Sequence, residues 1–277
     1  MDHLARIVTG IIHFLVSLVR DRNSRFWSLL GLATGGYVLF IIAMLVATAV
    51  HSTPGDLLAA LQSREIQHSI YLSLLTCSLT ALLSLVVAVP IGYLLARRNF
   101  LGKALIESIL DIPIVLPPMV IGLCLLILFQ TRIGGAVDAV IPFTYTVFGV
   151  VLAQFVIGAA FAIRTMRSTF DQLSCRPEDV AMTLGCSRGG AMWRVTLPAA
   201  GKGMVAAASV AWARSLGEFG PGLVFAGATR MRTEVLPTTV WLELSVGNLE
   251  GAIGVSLLMV LFAMVVLVAM RLLGERW

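Results

Sequence analysis

The chain has 277 residues, of which 58% are hydrophobic and only 13% are charged. A soluble globular domain carries about 25% charged residues, so this chain has too few charges to cover a surface that faces water. The composition therefore excludes a disordered chain, a nucleic-acid-binding domain and an ordinary cytosolic enzyme. The net charge of +5 fits Lys and Arg gathered on the cytoplasmic loops of a membrane protein.

The first apolar segment has two different faces. Apolar side chains recur at helical spacing through residues 4–19, whereas Arg6, His13 and Ser17 lie off that stripe. This pattern predicts an amphipathic helix on the membrane surface, with a packed accessory helix as the alternative. Because no small-residue cleavage site follows, the segment is not typical of a secretory signal peptide. We treat residues 1–27 as a separate N-terminal segment.

Longer apolar stretches follow this segment. A membrane-spanning helix needs about 20 mostly apolar residues to cross the hydrocarbon core. Stretches of that kind occur at residues 28–50, 69–96, 104–129, 146–166, 204–226 and 251–271. The sequence thus predicts an all-α, polytopic membrane protein in which residues 28–277 form a domain of six transmembrane helices.

The basic residues orient these predicted spans. With the N-terminus placed in the cytoplasm, 15 of the 20 Lys and Arg residues fall on inner segments, four fall on outer segments, and Arg214 falls within a span. Lys and Arg accumulate on the cytoplasmic side of membrane proteins. We therefore expect a multi-pass protein with both termini in the cytoplasm.

Two of the predicted loops are long. The outer loop at about residues 227–250 contains an apolar stretch, Val235 to Val246, which is too short to span and is interrupted by Glu243. We expect a short re-entrant or interfacial helix there. The inner loop at residues 167–203 is the most polar part of the chain.

A short helix is predicted within this inner loop. Pro177 followed by the acids Glu178 and Asp179 is typical of a helix start, since proline suits the first helical position and acids suit the first turn. Gly185 is placed to end the helix. The predicted helix therefore has about two turns.

The same loop carries a spaced motif. It consists of Asp179, Val180, Ala181, Gly185, Val195, Leu197 and Pro198. These intervals resemble the cytoplasmic EAA loop of permease subunits from binding-protein-dependent ABC importers, in which Glu-Ala-Ala is followed by Gly and then by Ile-x-Leu-Pro. Asp179 stands for the Glu, Val180 for the first Ala and Val195 for the Ile. All three changes are mild in size and charge.

The resemblance implies that this loop forms a coupling helix. Such a helix sits in a groove of a separate ATP-hydrolysing subunit and transmits the closure of that subunit to the spans. Ala181 and Gly185 are small enough for close approach, and Arg188 can pair with acidic groups of a partner. Together with Glu178, these residues and the motif residues form the expected coupling site. The alternative is a helix that merely connects two spans.

We do not expect the chain to hydrolyse ATP itself. A phosphate-binding loop needs Gly-x4-Gly-Lys-Ser/Thr, whereas the two Gly-Lys pairs of this chain are followed by Ala104 and Gly203. The four cysteines do not have the spacing of metal ligands. The sequence therefore predicts a transport subunit that is not an enzyme and has no catalytic residues, metal site or cofactor.

The fifth predicted span combines two charges with a predicted break. Arg214 and Glu218 are four residues apart and so share a helix face. Charged groups at membrane depth usually face the protein interior, so the pair either lines the translocation path or fixes helix packing. Three glycines and a proline occur within residues 217–222. Such breaks line cavities in transporters, and Gly220 is our candidate for the path there.

The third predicted span contains three prolines. Pro113, Pro117 and Pro118 cannot continue a straight helix, and the carbonyls that they free need a neighbour or water. Pro117 and Pro118 are therefore candidates for a kink beside the translocation path. The preceding acids, Glu107 and Asp111, are expected near a helix start, where the helix dipole favours them.

These two stretches, and a third one in the outer loop that follows, resemble one branch of the permease family. Residues 117–122, 213–220 and 233–237 are similar to motifs of molybdate, tungstate and sulfate permeases. The resemblance implies the type I ABC importer permease fold in the inner membrane, with molybdate as the first candidate substrate and tungstate or sulfate as the next. It also implies a homodimer with a second copy, two ATP-binding subunits and an extracytoplasmic oxyanion-binding protein. A permease for another small solute and a passive channel are the alternatives.

Overall fold

The computed structural model describes residues 24–50 and 61–275. All regular structure within these residues is helical, as predicted. The chain divides into two compact units, Met1–Thr53 and Pro54–Trp277. The amphipathic helix predicted at residues 4–19 lies outside the described residues.

The first unit contains α1, which runs from Ser24 to Val50. Its 27 residues correspond to about 40 Å of helix, which is enough to cross a bilayer. The predicted span at residues 28–50 is confirmed as a long apolar helix, and the helix begins slightly earlier than predicted.

The second unit contains the other described helices. They are α2 Arg64–Arg97, α3 Lys103–Val115, α4 Pro118–Gln130, α5 Arg132–Val140, α6 Val147–Gln172, α7 Arg176–Thr183, α8 Arg188–Ala191, α9 Leu197–Ala199, α10 Gly201–Leu216, α11 Gly220–Phe225, α12 Leu236–Ser245 and α13 Leu249–Glu275, with a π-helical turn at Met192–Thr196 between α8 and α9. In the described part of the chain, α1, α2, α6 and α13 are each long and apolar enough to cross a membrane.

The third predicted span is divided more sharply than a kink. Its two halves, α3 and α4, meet at an angle of 112°. Leu116 and Pro117 between them have extended ψ angles of 141° and 132°, because a residue that precedes proline is pushed out of the helical region. The span is therefore a broken span or a re-entrant element.

The fifth predicted span is also divided. α10 ends at Leu216 and α11 begins at Gly220, so the break predicted from the glycines is confirmed. α10 has 16 residues, fewer than the roughly 20 that one span needs. The span predicted over residues 204–226 therefore consists of two helical segments separated by the predicted break, and the count of six spans stays a prediction.

α2 presents a stripe of small hydroxyl residues to its neighbours. The stripe consists of Ser69, Ser73, Thr76, Thr80 and Ser84, each at most 1% exposed. Small side chains allow membrane helices to approach closely. The hydroxyl of Thr80 also lies 3.3 Å from Oε1 of the buried Gln154 on α6, which joins the two helices by a hydrogen bond.

α2, α6 and α10 meet around Gly158. A Cβ at this position would lie 3.2 Å from Oγ of Ser215 and 3.3 Å from Oγ of Ser84, closer than ordinary van der Waals contact. The close packing of these three helices therefore depends on the absence of a side chain at Gly158, and it forms the interior against which the broken segments lie.

Candidate functional site

The breaks of the third and fifth predicted spans lie against each other. A Cβ on Gly220, at the start of α11, would lie 3.0 Å from Cβ of Pro118 and 2.9 Å from the backbone nitrogen of Met119, at the start of α4. One turn further along α4, a Cβ on Gly122 would lie 2.8 Å from Cα of Pro221. Each broken segment thus contributes a glycine to the contact, and the two backbones meet directly.

We call this contact the break junction, defined by Pro118, Met119, Gly122, Gly220 and Pro221. It brings together Pro118 and Gly220, which the sequence singled out as separate path candidates. Pro117, another path candidate, immediately precedes α4 as its N-cap residue. Phe225 of α11 also packs against Phe129 of α4, with ring centroids 5.1 Å apart, so the contact extends along both segments.

The charged pair of the fifth predicted span is formed as expected from its spacing. Nη2 of Arg214 lies 3.5 Å from Oε2 of Glu218, and the two side chains are 40% and 3% exposed. The guanidinium also lies 5.5 Å from the ring centroid of Phe161 on α6. Arg214 therefore offsets a buried carboxylate while part of its own surface stays accessible, and Glu218 lies two residues before the break junction.

The polar segment between α6 and α10 contains the predicted short helix. α7 has eight residues and begins with Arg176 and Pro177. Gly185 follows it with a φ of +92°, a left-handed conformation that glycine adopts without strain. The amides of Gly185 and Cys186 donate to the carbonyls of Met182 and Ala181 at 3.0 Å. The predicted start and end of the helix are confirmed.

The exposed side chains of this segment include several that are apolar. Val180, Leu184 and Trp193 are 56%, 80% and 70% exposed, and Asp179 and Arg188 are also exposed. Val195 and Leu197 are half-buried, whereas Pro198 is exposed. Exposed apolar patches that are surrounded by polar residues can mark interaction surfaces. We call Val180, Leu184 and Trp193 the apolar docking patch.

Glu178 is placed differently from the residues around it. It is 6% exposed and faces α2 of the same chain, where the Tyr93 hydroxyl donates a hydrogen bond to its Oε1. Nε of Arg97 lies 3.6 Å from its Oε2, and Nη1 of Arg97 donates to the carbonyl of Leu173 at 3.1 Å. Glu178 was expected to contact a partner subunit, but the structure assigns it to the attachment of α7 to α2.

A second ionic group lies at the opposite end of α2. Arg230, in the loop after α11, forms an ion pair with Glu65 at the start of α2, and its Nη2 lies 2.9 Å from Oε1 of Glu243 on α12. Asn248 donates to the other oxygen of Glu243 at 2.7 Å. Burial lowers the pKa of Arg230, but the hydrogen bond and charge of Glu65 and the charge of Glu243 outweigh burial and raise the pKa above its ordinary value.

Glu234 lies beside this group and is fully buried. Neither of its carboxylate oxygens has a hydrogen-bond partner among the described residues, and the nearby Thr239 hydroxyl donates instead to the carbonyl of Val235 at 3.1 Å. Burial raises the pKa of Glu234, although Thr239 and Arg230 oppose the shift. The carboxyl group is therefore costly to ionise in this structure.

Residues 88–277 match the family described as the binding-protein-dependent transport system inner membrane component. The chain belongs to this family. It is a multi-pass transport permease, and the match includes both the break junction and the segment from α6 to α10.

Curated relatives resemble this permease over most of its length. A probable molybdenum ABC transporter permease of Haloferax volcanii is 31% identical over 243 residues, which are 88% of each chain. The molybdenum transport system permease of Mycobacterium tuberculosis is 34% identical and covers 83% of this chain and 88% of its own length. A sulfate transport system permease of Synechocystis is 29% identical, covering 87% and 90%.

A solved structure has the same fold. A chain of a bacterial alginate ABC transporter, in complex with an alginate pentasaccharide-bound periplasmic protein, superimposes with a TM-score of 0.71 over 91% of this permease and 96% of that chain. The sequence identity is 13%, so this likeness concerns the fold alone.

Some features of the permease were missed by sequence reasoning. The exposed apolar side chains of Leu184 and Trp193 were not singled out, although two large apolar residues in the most polar loop of the chain are a usable signal. Arg230 was counted only as an outer charge. Its pairing with Glu65 joins residues that are 165 positions apart, and nothing in the local sequence indicates such a contact.

Proposed function

We propose that this protein is the permease subunit of an ABC importer for an oxyanion, with molybdate as the first candidate and tungstate or sulfate as the next. The observation that carries the proposal is the break junction, where the third-span and fifth-span motifs of oxyanion permeases meet in one place. The named molybdenum and sulfate permeases among the relatives support the same substrate class.

The junction is suited to a translocation path. Helix breaks within a membrane are tolerated where the backbone lines a cavity or is covered by protein. Here each break covers the other through Gly220 and Pro118, so a movement of one broken segment opens or closes the space beside the other. Alternating access to the two sides of the membrane then requires only a shift of the two segments relative to each other.

The charged pair near the junction favours weak binding of the substrate along the path. Arg214 has the sign that attracts an oxyanion, but Glu218 at 3.5 Å offsets that attraction. Selectivity is then supplied by the extracytoplasmic binding protein, which captures the oxyanion and delivers it to the outer loops. The alternative is that Arg214 only neutralises the buried charge of Glu218, in which case the pair fixes helix packing and does not contact the substrate.

The cytoplasmic docking site lies on α7 and the residues that follow it. The apolar docking patch offers Val180, Leu184 and Trp193 to a groove of the ATP-binding subunit, and the exposed Arg188 offers a charge to acidic groups at its edge. Two copies of the permease present two such surfaces to two ATP-binding subunits. The excess of Lys and Arg on this side of the spans supports the assignment of both termini to the cytoplasm.

Reconstitution tests this function directly. The permease is assembled in proteoliposomes with the ATP-binding subunit and the binding protein from the same organism, and uptake of labelled molybdate, tungstate and sulfate is compared. We expect uptake that requires both ATP and the binding protein, with molybdate preferred. Uptake without ATP would establish a passive channel, and ATP-dependent uptake of a different solute alone would overturn the oxyanion assignment.

A further inference from the structure

α2 is the longest helix in the described part of the chain. Its 34 residues give a length of about 50 Å, and it continues through Pro90 without interruption. It therefore reaches from one side of the membrane to the other as a single element. Each of its ends is attached by charged side chains to a short helix of a loop.

We define the inner clasp as Tyr93, Arg97 and Glu178. The Tyr93 hydroxyl and the Arg97 guanidinium hold the two oxygens of the same carboxylate, which is 8% exposed. The Tyr93 ring packs edge-on against the buried Phe170 of α6, with centroids 5.6 Å apart. A buried carboxylate held by one hydrogen bond and one ion pair is expensive to release, so α7 is attached firmly to the inner end of α2.

We define the outer clasp as Glu65, Arg230 and Glu243. Arg230 joins Glu65 at the outer end of α2 to Glu243 on α12. A second contact reinforces the attachment, because the backbone N–H of Leu236 at the start of α12 donates to Oγ of Ser73 on α2 at 2.8 Å. Both partners of that hydrogen bond are buried, so α12 is fixed to α2 by a charged and a neutral bond.

We propose that α2 is the strut that transmits displacement of α7 on the cytoplasmic side to α12 on the outer side, with Glu178 and Arg230 as the positioning residues at its two ends. The inference rests on the proposed function, in which α7 docks on the ATP-binding subunit. α2 is one continuous helix attached at both ends to a loop helix, and rigid helices of this kind can carry coupling between two distant sites. The connection acts in both directions, since coupling between two sites is reciprocal.

A reporter on α12 tests the strut without any transported substrate. The four native cysteines are replaced by Ala, and Ser245, which is exposed near the end of α12, is replaced by Cys. The permease is assembled with its ATP-binding subunits in nanodiscs, and the alkylation rate of this cysteine is measured with and without a non-hydrolysable ATP analogue. We expect the nucleotide to change the rate several-fold in this parent.

Variants of either clasp should then reduce the nucleotide effect. Tyr93→Phe removes one oxygen atom and preserves the packing of the ring, and Arg230→Gln breaks the outer clasp. We expect each to reduce the change in alkylation rate by at least half. The double variant should lose little more than either single variant, because both break the same connection. Arg98→Gln and Arg232→Gln, at exposed neighbouring cations, are the matched controls and should keep the full change.

The outcomes separate the inference from the function on which it rests. If nucleotide changes the alkylation rate in the parent and changes it by the same factor in both clasp variants, the proposed role of α2 is wrong, whereas ATP coupling is supported. An equal loss in the control variants also overturns the specific role of the clasps. If the parent itself does not respond although the subunits stay assembled, the proposed ATP coupling fails, and the strut fails with it.

Discussion

Gly220 and Pro118 lie in direct contact, and a Cβ on Gly220 would be 3.0 Å from Cβ of Pro118. The two residues begin α11 and α4, the second halves of two different broken segments. The Cβ on Gly220 would also lie only 2.9 Å from the backbone nitrogen of Met119. The contact therefore involves backbone atoms, which cannot rotate away as a side chain can. Glycine at position 220 is therefore a requirement of the break junction.

Gly220→Ala should weaken the junction. The added methyl group overpacks a site bounded by backbone, and we expect a loss of roughly 1–3 kcal/mol, measured as a lower thermal unfolding midpoint in detergent, together with slower uptake. Gly222→Ala is the matched control, because a Cβ there would meet nothing within 4 Å. Equal effects of the two substitutions would show that the contact with Pro118 is unimportant.

Arg214→Ala should destabilise the protein because it leaves Glu218 buried without its cation. We expect a loss of roughly 1–3 kcal/mol, and no more, since Arg214 is 40% exposed and solvent screens its charge. The double variant Arg214→Ala/Glu218→Gln removes the buried charge and should recover stability.

The same double variant separates the two roles of the pair. If the pair fixes packing alone, uptake in proteoliposomes should recover along with the unfolding midpoint. If Arg214 lines the path, uptake should stay low although the protein is stable. Unchanged uptake in the single variant Arg214→Ala would exclude the path role outright.

Leu184→Glu should impair docking of the ATP-binding subunit without affecting the fold. The side chain is 80% exposed, so the substitution does not disturb the interior, but it places a charge within the apolar docking patch. We expect at least a tenfold weaker association in a pull-down titration with the purified ATP-binding subunit. Leu101→Glu, at an exposed leucine of the loop before α3, is the control and should bind normally.

Protonation of Asp138 should make the protein less stable in acid. Its carboxylate accepts hydrogen bonds from the backbone N–H groups of Thr144 at 2.9 Å and Phe143 at 2.7 Å, and these bonds hold its pKa below the ordinary value of 3.8. The stabilisation is complete above that ordinary value and disappears as pH falls through the lowered pKa. Unfolding midpoints of Asp138→Asn and the parent should differ at pH 7 and converge as the pH falls through the lowered pKa of Asp138.

The contribution of Glu234 to stability should depend on pH in the opposite direction. Burial raises the pKa of Glu234 above the ordinary value of 4.5, so this carboxyl group ionises in the unfolded chain at a lower pH than in the folded protein. The free energy of unfolding therefore falls as pH rises, until the raised pKa is passed. We expect Glu234→Gln to match the parent in unfolding midpoint below pH 4.5 and to exceed it at pH 8. A variant that is less stable at pH 8 would show that the ionised carboxylate has a stabilising partner.

Much of the fold could be predicted because it depends on local properties of the chain. Apolar length identified α1, α2, α6 and α13, since a helix that crosses a bilayer must hide its backbone over a fixed distance. The ends of α7 followed from Pro177 and Gly185, whose backbone preferences act within a few residues. The short helix expected between Val235 and Val246 is confirmed as α12.

The breaks were predicted in position but not in extent. Three prolines indicated that α3 could not continue straight, but the angle of 112° depends on the packing of α4 against α11. Likewise, the glycines of the fifth predicted span indicated a break, and only the structure shows that α10 is too short to span alone. The local sequence indicates that a helix must end, whereas packing against neighbouring helices determines the direction of the next segment.

The sequence by itself determined a helical membrane permease, the short helix in its most polar loop and the residue types at two helix breaks. The tertiary structure decided which of these residues meet. It turned Glu178 inward onto Tyr93 and Arg97, although Asp179 beside it is exposed, and it placed Arg230 between Glu65 and Glu243. Hydrophobic length and Pro or Gly preferences are properties of a few consecutive residues, whereas these contacts join distant positions that only helix packing brings within reach.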